Sequence, residues 1–539
     1  NLYSSCMKQT DHSLSITDAH SSILDGIQKS ALSLAAIGVL GLIVSIPMNT
    51  IPNPGIWLTV ALAAIISGTI IYARRSYLTR PEGIQNNGVW HRGISTRGIA
   101  GWIIGIILTG FYILLYFYPE YLGLGAEGNV NHGIVALFDP LSRFLSGNAA
   151  SQWFVYGTIY TVAILSMGYK FILKYRHNKY QVVRTISVMF FQLGFAYLIP
   201  ELLARLSLPY NDFKNMWPLN YSFFDEWNLK GLIDAGGFGL FMLLFGVAMI
   251  FVISPILTYF YGKRWYCSWV CGCGGLAETA GDPFRHLSDK STTAWKIERW
   301  VIHTVLVFSV VMTVALVYSY LGDDASRNTA GGFWVTRGML LGIIGLVLGC
   351  VAIVLIVRPG MIKEVNNTVR ILVLAILLLI IGFTAHAYLT GRGDVFFVES
   401  YPLRKWYGFA IGAIFSGVIG VGFYPLMGSR VWCRFGCPMA AILGMQQRFF
   451  SRFRITTNGG QCISCGNCST HCEMGIDVRS YAQRGENIVR SSCVGCGVCA
   501  AVCPRGVLKL ESRKLAGGKV QGRVSSDPIA IGRTGATLR

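Results

Sequence analysis

Ten runs of nearly unbroken apolar residues divide the chain before residue 428, at about 30–47, 56–73, 99–118, 153–173, 185–201, 238–261, 300–321, 338–357, 371–390 and 406–427. Each is close to the ~20 residues that a helix needs to cross a bilayer core, and the second and fifth are among the shortest. The pattern predicts an all-α polytopic membrane protein with about ten transmembrane helices. Beyond residue 450 the long apolar runs stop and short segments rich in Cys and Gly take over. The two longer connections, 119–152 and 201–237, are rich in aromatics and Pro, including Phe213, Trp217, Pro218, Tyr221, Phe223, Phe224 and Trp227. Such segments predict short amphipathic helices on the outer leaflet, with a quinone-binding shelf as the sharper alternative.

Composition supports lipid as the main solvent. Hydrophobic residues make up 53% and charged residues only 13% of the 539 positions, against about 25% charged in soluble domains. A formal net charge of +20 invites a nucleic-acid reading. Its distribution argues instead for membrane orientation. With the N-terminus inside, loops 74–98, 174–184, 262–299 and 358–370 hold 18 Lys/Arg, against 9 in the longer outer set. That bias predicts a multi-pass protein of the bacterial inner membrane, with both termini cytoplasmic and no nucleic-acid partner. Residues 1–29 are polar and lack the charged-then-apolar order of a signal peptide.

Thirteen of the fifteen cysteines fall into four tight groups, and only Cys6 and Cys350 stand alone. Grouping of this kind points to metal ligation rather than a disulfide framework. Residues 462–472 and 493–503 both read C-x2-C-x2-C-x3-C, and Pro504 follows the second run. This is the bacterial two-cluster pattern, in which the fourth Cys of each run ligates the other cluster. It predicts two [4Fe–4S] clusters in an α+β ferredoxin-like domain. Cluster I takes Cys462, Cys465, Cys468 and Cys503; cluster II takes Cys493, Cys496, Cys499 and Cys472. Zinc, which uses paired C-x2-C knuckles, explains the two four-Cys runs poorly. The first run ends in Cys472-Glu473 rather than Cys-Pro, a change that bears on the potential of cluster II.

Two apolar runs end alike. Pro255, then Gly262-Lys-Arg264, leads to Cys267 and Cys271; Pro425, then Gly428-Ser-Arg430, leads to Cys433 and Cys437-Pro438. Cysteines four apart lie on one face of a helical turn. Each pair is therefore expected to offer two thiolates at the inner membrane face. An internal repeat over roughly 238–300 and 406–450 would bring the four together around one metal centre. A third Fe–S cluster is the first expectation, with copper second and plain thiol packing the bland alternative. Cys273 extends the first motif to C-x3-C-x-C, as an extra ligand or a redox-active thiol.

The combination of many spans, two C-x3-C(P) motifs and a two-cluster ferredoxin domain resembles the NosR/NapH-type membrane ferredoxins over about 238–510. The resemblance implies electron transfer between the quinone pool and reductase systems, or support for maturation of a metalloenzyme. It also implies that the twelve cysteines of these motifs bind metal. The first motif departs from the family's usual Cys-Pro, and the N-terminal flavin domain of the NosR branch is not evident. The expected organisation is an N-terminal segment 1–29, a transmembrane region 30–237, a repeat region 238–450, a ferredoxin domain 451–512 and a basic tail 513–539. The expected function is electron relay as an oxidoreductase component, between redox partner proteins and quinone or an outer-face acceptor. Copper handling for a partner oxidase or reductase, or a subunit role in a respiratory complex, are the alternatives. His303 and His386 are placed near opposite ends of their spans, which disfavours a shared haem. Thr534-Gly-Ala-Thr537 is only a weak match to a covalent FMN site, so haem and FMN are not expected.

Overall fold

The computed structural model describes residues 24–79, 81–84, 97–125, 130–321, 335–357, 367–391 and 399–512. Most of the N-terminal segment, the 513–539 tail and its FMN-like tetrapeptide lie outside the described residues. Helices occupy all ten predicted positions. Among the described residues, six are long and apolar enough to cross a membrane: Gly26–Val44, Pro54–Tyr77, Ile99–Phe117, Lys179–Arg205, Gly236–Tyr261 and Thr292–Tyr320. The ten-span expectation is thus met for six. Gln152–Lys174 is 23 residues long, but polar positions such as Thr158, Thr161, Ser166 and Lys170 dilute its apolar character. The described apolar stretches at Arg337–Cys350 and Leu377–Leu389 are shorter. The tenth begins as Ser400–Tyr407 and continues with π-helical geometry over Gly408–Ile419.

Small residues set the tightest packing. A methyl group on Gly38 would meet the Ala61 carbonyl at 2.6 Å, and one on Gly68 the Ala31 carbonyl at 2.6 Å. Helices Gly26–Val44 and Pro54–Tyr77 can approach this closely only because those positions lack Cβ, the usual device of packing in lipid. The main apolar core joins these helices to Ile99–Phe117 and Gln152–Lys174 through Leu58, Leu115 and Phe154. The connection 119–152, expected on the outer leaflet, does form a short helix, Gly133–Leu145. Its apolar face (Ile134, Val135, Leu137, Phe138) is buried in that core instead of being spread on lipid.

The chain divides into two compact units, the smaller one comprising Asn220–Gly231 and Val307–Ala410. Within the smaller unit Arg404 ties the ends together, donating through Nε to Asp225 at 2.8 Å and through Nη2 to Ser222 at 2.9 Å. In the larger unit, strands β1 (Phe453–Thr457) and β2 (Leu508–Ser512) pair antiparallel, Phe453 opposite Ser512. The two-stranded sheet brackets both four-Cys runs and brings the ends of the ferredoxin region together. The chain is thus mostly helical, with a small C-terminal ferredoxin-like region that holds this sheet.

Candidate metal centres

The two four-Cys runs fold as copies of one loop. Ser464 and Gly495, each the residue before the second Cys, have φ of 59° and 64°; Gly466 and Gly497, each after it, have φ of 81° and 74°. Left-handed backbone at two alternate positions curls the chain so that its side chains point inward, and glycine takes it at least cost. A short helix follows in each copy, Asn467–Thr470 and Val498–Ala501. Cys462, Cys465, Cys468 and Cys503 line one hollow. Cys472, Cys493, Cys496 and Cys499 line a second. Each hollow is therefore lined by three cysteines from one run and one from the other, as the spacing suggests.

The donor chemistry fits a thiolate-bound cluster. Burial pushes the Cys468 and Cys496 thiols up to about 12 and that of Cys493 to about 11. Thiols so placed become thiolates when a metal takes the proton's place. His471, next to the second hollow, is held neutral by burial, which pushes it down to about 3.

The repeated C-x3-C motifs adopt a different geometry from the single helical turn expected. Cys267 closes a four-residue helix, Arg264–Cys267, and Cys271 has extended backbone (φ −67°, ψ 126°) as N-cap of Gly272–Thr279. Cys433 lies in a π-turn, Trp432–Gly436, and Cys437 is likewise extended (φ −87°, ψ 110°) as N-cap of Pro438–Phe449. Pro438 disfavours the α region for the residue before it, which accounts for the break at Cys437. The second cysteine of each pair thus sits at a helix N-terminus, where Cys437 Sγ accepts from Ala440 N at 3.4 Å.

Cys267, Cys271, Cys433 and Cys437 are all buried, and Cys437 lies within electrostatic range of the other three. Two remote segments of the chain are thereby brought to one place. Cys273 lies beside Cys271 and within electrostatic range of Cys433 and Cys437.

Both loops pack against residues well inside the helical bundle. A methyl group on Gly272 would lie 2.5 Å from Gln192 Oε1, 2.8 Å from Lys214 Nζ and 3.4 Å from the Tyr160 ring. Gln192 is the fourteenth of 27 residues in Lys179–Arg205, about 20 Å along the helix at 1.5 Å per residue. Gly436 packs on Phe415 in the same way. After reaching the end of a span, each loop therefore turns back among the helices. Lys214 belongs to 201–237, expected on the outer leaflet. Part of that segment instead enters the bundle, where Lys214 donates to Gln192 at 2.9 Å and Gln192 to Thr161 at 3.0 Å. From Tyr160 a row of rings runs through Tyr156 (5.3 Å), Tyr112 (5.9 Å) and Tyr116 (6.4 Å) to Trp153 (5.1 Å).

Between the paired loops and the second ferredoxin hollow lies a layer of buried charge that sequence reading overlooked. Arg430 donates through Nε to Glu473 Oε1 at 2.9 Å and through Nη1 to the Cys267 carbonyl at 3.2 Å. Its Nη1 also faces Cys433 Sγ at 3.7 Å, and its Nη2 pairs with Glu278. Arg184 pairs with Glu278 too, and Arg285 with Asp282 at 2.9 Å. Ser268 Oγ donates to the Val494 carbonyl at 2.9 Å, joining the residue after Cys267 to the residue after Cys493. Oxygens of Glu278 and Glu473 lie within 4.8 Å of each other and of Cys496 Sγ. Those carboxylates are already held by guanidinium groups, so this triad is a salt-bridge network rather than a separate metal site. The signal available beforehand was Glu278 and Asp282, acidic residues in a short Gly-rich helical stretch. His303 shares a surface hollow with Cys433 and Lys263 and bonds the Arg299 carbonyl of its own helix. His386 falls in the smaller unit.

Comparison with known proteins finds iron–sulfur families over the same segments. Residues 461–508 match the family described as 4Fe-4S dicluster domain. Residues 240–291 and 408–456, the two halves of the internal repeat, both match the family described as 4Fe-4S binding domain. The chain is 37% identical over 54 residues to "Putative electron transport protein YccM" of Escherichia coli (strain K12), covering 10% of this chain and 15% of that protein. The match thus spans well under a fifth of the relative's length. No solved structure matches. The chain is an iron–sulfur protein of the 4Fe-4S type, with ferredoxin-like domains and multiple candidate transmembrane helices.

Proposed function

We propose that this is an integral membrane electron-transfer protein of the bacterial inner membrane, related to the NosR/NapH-type ferredoxins. It relays electrons between a partner at the ferredoxin face and quinone or an acceptor at the opposite face. The observation that carries this reading is the convergence of Cys267, Cys271, Cys433 and Cys437 from two repeats, one layer of buried charge away from the second ferredoxin hollow. Cys462, Cys465, Cys468 and Cys503 are the ligands of one [4Fe–4S] cluster, and Cys472, Cys493, Cys496 and Cys499 those of another. The four paired cysteines hold a third centre, with Cys273 beside it. Iron–sulfur clusters supply one-electron chemistry whose potential the protein sets by hydrogen bonds, charge and burial. The protein's own part is to hold the thiolates, exclude water and place the sites close together.

The match of both repeat halves to a 4Fe-4S binding family favours iron at the paired site over copper. The ring series Tyr160 to Trp153 leads away from the ferredoxin side, which supports passage into or across the bilayer. Metal analysis with EPR on the reduced, purified protein tests the reading. About twelve irons per chain is the expected result for three [4Fe–4S] clusters. About eight irons with stoichiometric copper would replace electron relay with a copper-handling role.

A further inference from the structure

The buried charge between the paired loops and the second ferredoxin hollow has no part in ligating metal. Arg430 is nevertheless 1% exposed and Glu473 fully buried, and burying such groups carries a large desolvation cost. Every directed contact of the Arg430 guanidinium goes to a segment that carries a cysteine ligand or a carboxylate beside one. It reaches the Cys267 carbonyl in the first loop, Cys433 Sγ in the second, Glu278 on the helix capped by Cys271, and Glu473 next to Cys472. Glu473 is fixed from other sides as well. Ser288 Oγ donates to its carbonyl at 2.7 Å, and Arg285 Nη1 stands 3.7 Å from its second oxygen. The side chain at 473 is therefore held where a Pro would offer no carboxylate.

We propose that Arg430 and Glu473 form a positioning and charge-tuning pair that couples the paired-cysteine site to the second ferredoxin site. This rests on the reading that the paired cysteines hold a third centre. Hydrogen bonds to ligand sulfur and nearby charge are the protein's means of setting a cluster's potential, and residues outside the ligand set fix ligand orientation. The guanidinium stabilises added negative charge at both sites. The Glu473 carboxylate opposes it at the second ferredoxin site and is balanced by the guanidinium. One residue thus keeps two anionic sites near each other without either becoming hard to reduce.

EPR-monitored redox titration of the purified full chain tests the pair. Arg430→Gln is expected to lower the midpoint of the Cys472/Cys493/Cys496/Cys499 site, and Glu473→Gln to raise it. Each change is about tenfold in the reduction equilibrium, or about 59 mV for a one-electron couple. The double variant returns towards the wild type, because the two charges compensate each other. Arg430→Lys, which keeps the charge but not the fork, lies between wild type and Arg430→Gln. The Cys462/Cys465/Cys468/Cys503 site serves as the internal reference and stays in place. Shifts of the same sign in both single variants, no shift in either, or an equal shift at the reference site would overturn the pair. Should Arg430→Gln not accumulate, the near-isosteric Glu473→Gln decides by the sign of its shift. Iron counting separates the two claims. About eight irons in the wild type overturns the third centre and the coupling with it, whereas about twelve irons with unmoved potentials overturns the coupling alone.

Discussion

The loops Gly262–Cys271 and Gly428–Cys437 start from the same plan and end in different surroundings. Each follows a short helix with a proline as its second residue, Ser254–Tyr261 and Tyr424–Met427. Each then turns through a glycine in a conformation that other residues rarely adopt, Gly262 at φ 68°, ψ −179° and Gly428 at φ 96°, ψ 170°. Each ends on a cysteine that caps a helix. The arginine between glycine and cysteine breaks the symmetry. Arg430 is buried among two carboxylates, a carbonyl and a sulfur. Arg264 lies across the Phe453 ring at 4.6 Å and reaches Ser512 Oγ at 3.3 Å. One repeat thus directs its cation at the paired cysteines, and the other uses it to hold the ferredoxin sheet. Shared backbone geometry serves the cysteines; divergent side-chain packing gives the two halves separate tasks.

The strongest way to break the comparison is to remove one cysteine from each loop. Cys267→Ser and Cys433→Ser should each reduce iron by about a third, from about twelve towards about eight per chain, with the ferredoxin EPR signals kept. Unchanged iron and spectra in both would end the idea of a shared centre. Next in size is the arginine contrast. Arg430→Gln removes the guanidinium that the buried Glu278 and Glu473 share and should cost about 3–5 kcal/mol in unfolding measured in detergent. Arg264→Gln loses an aromatic contact at a partly exposed site, about 0.5–1 kcal/mol. Equal losses would mean that the halves are not specialised.

The glycines should behave alike. Ala at 262 would be strained and would press on Gln447 Oε1 at 2.6 Å, and Ala at 428 on Ser288 Oγ at 2.3 Å. Each is expected to lower stability by about 1–3 kcal/mol from backbone strain, before any clash. The smallest effect is expected of Cys273→Ser, which keeps a hydrogen-bonding group beside Cys271 and should leave iron content unchanged. Loss of iron there would make Cys273 a ligand and the first loop a three-cysteine half-site.

The sequence by itself determined what depends on local pattern. Apolar run length located the helices, because a bilayer imposes its thickness on any segment that crosses it. The eight ferredoxin cysteines and their division between two hollows followed from spacing, because a tight loop of three ligands leaves the fourth to come from its twin. The repeat of Gly-x-Arg and C-x3-C was visible as well. Tertiary structure decided the rest. Neither the backbone break at Cys271 nor the return of both loops among the helices follows from a motif, because each depends on packing against Gln192 and Phe415. The 201–237 segment looked interfacial from its aromatics, yet Lys214 reaches Gly272, since a buried polar partner can outweigh an interfacial preference. The link through Arg430 joins residues 267, 278, 433 and 473. Only folding places those four positions around one guanidinium, and their pairing is what makes burial of its charge tolerable.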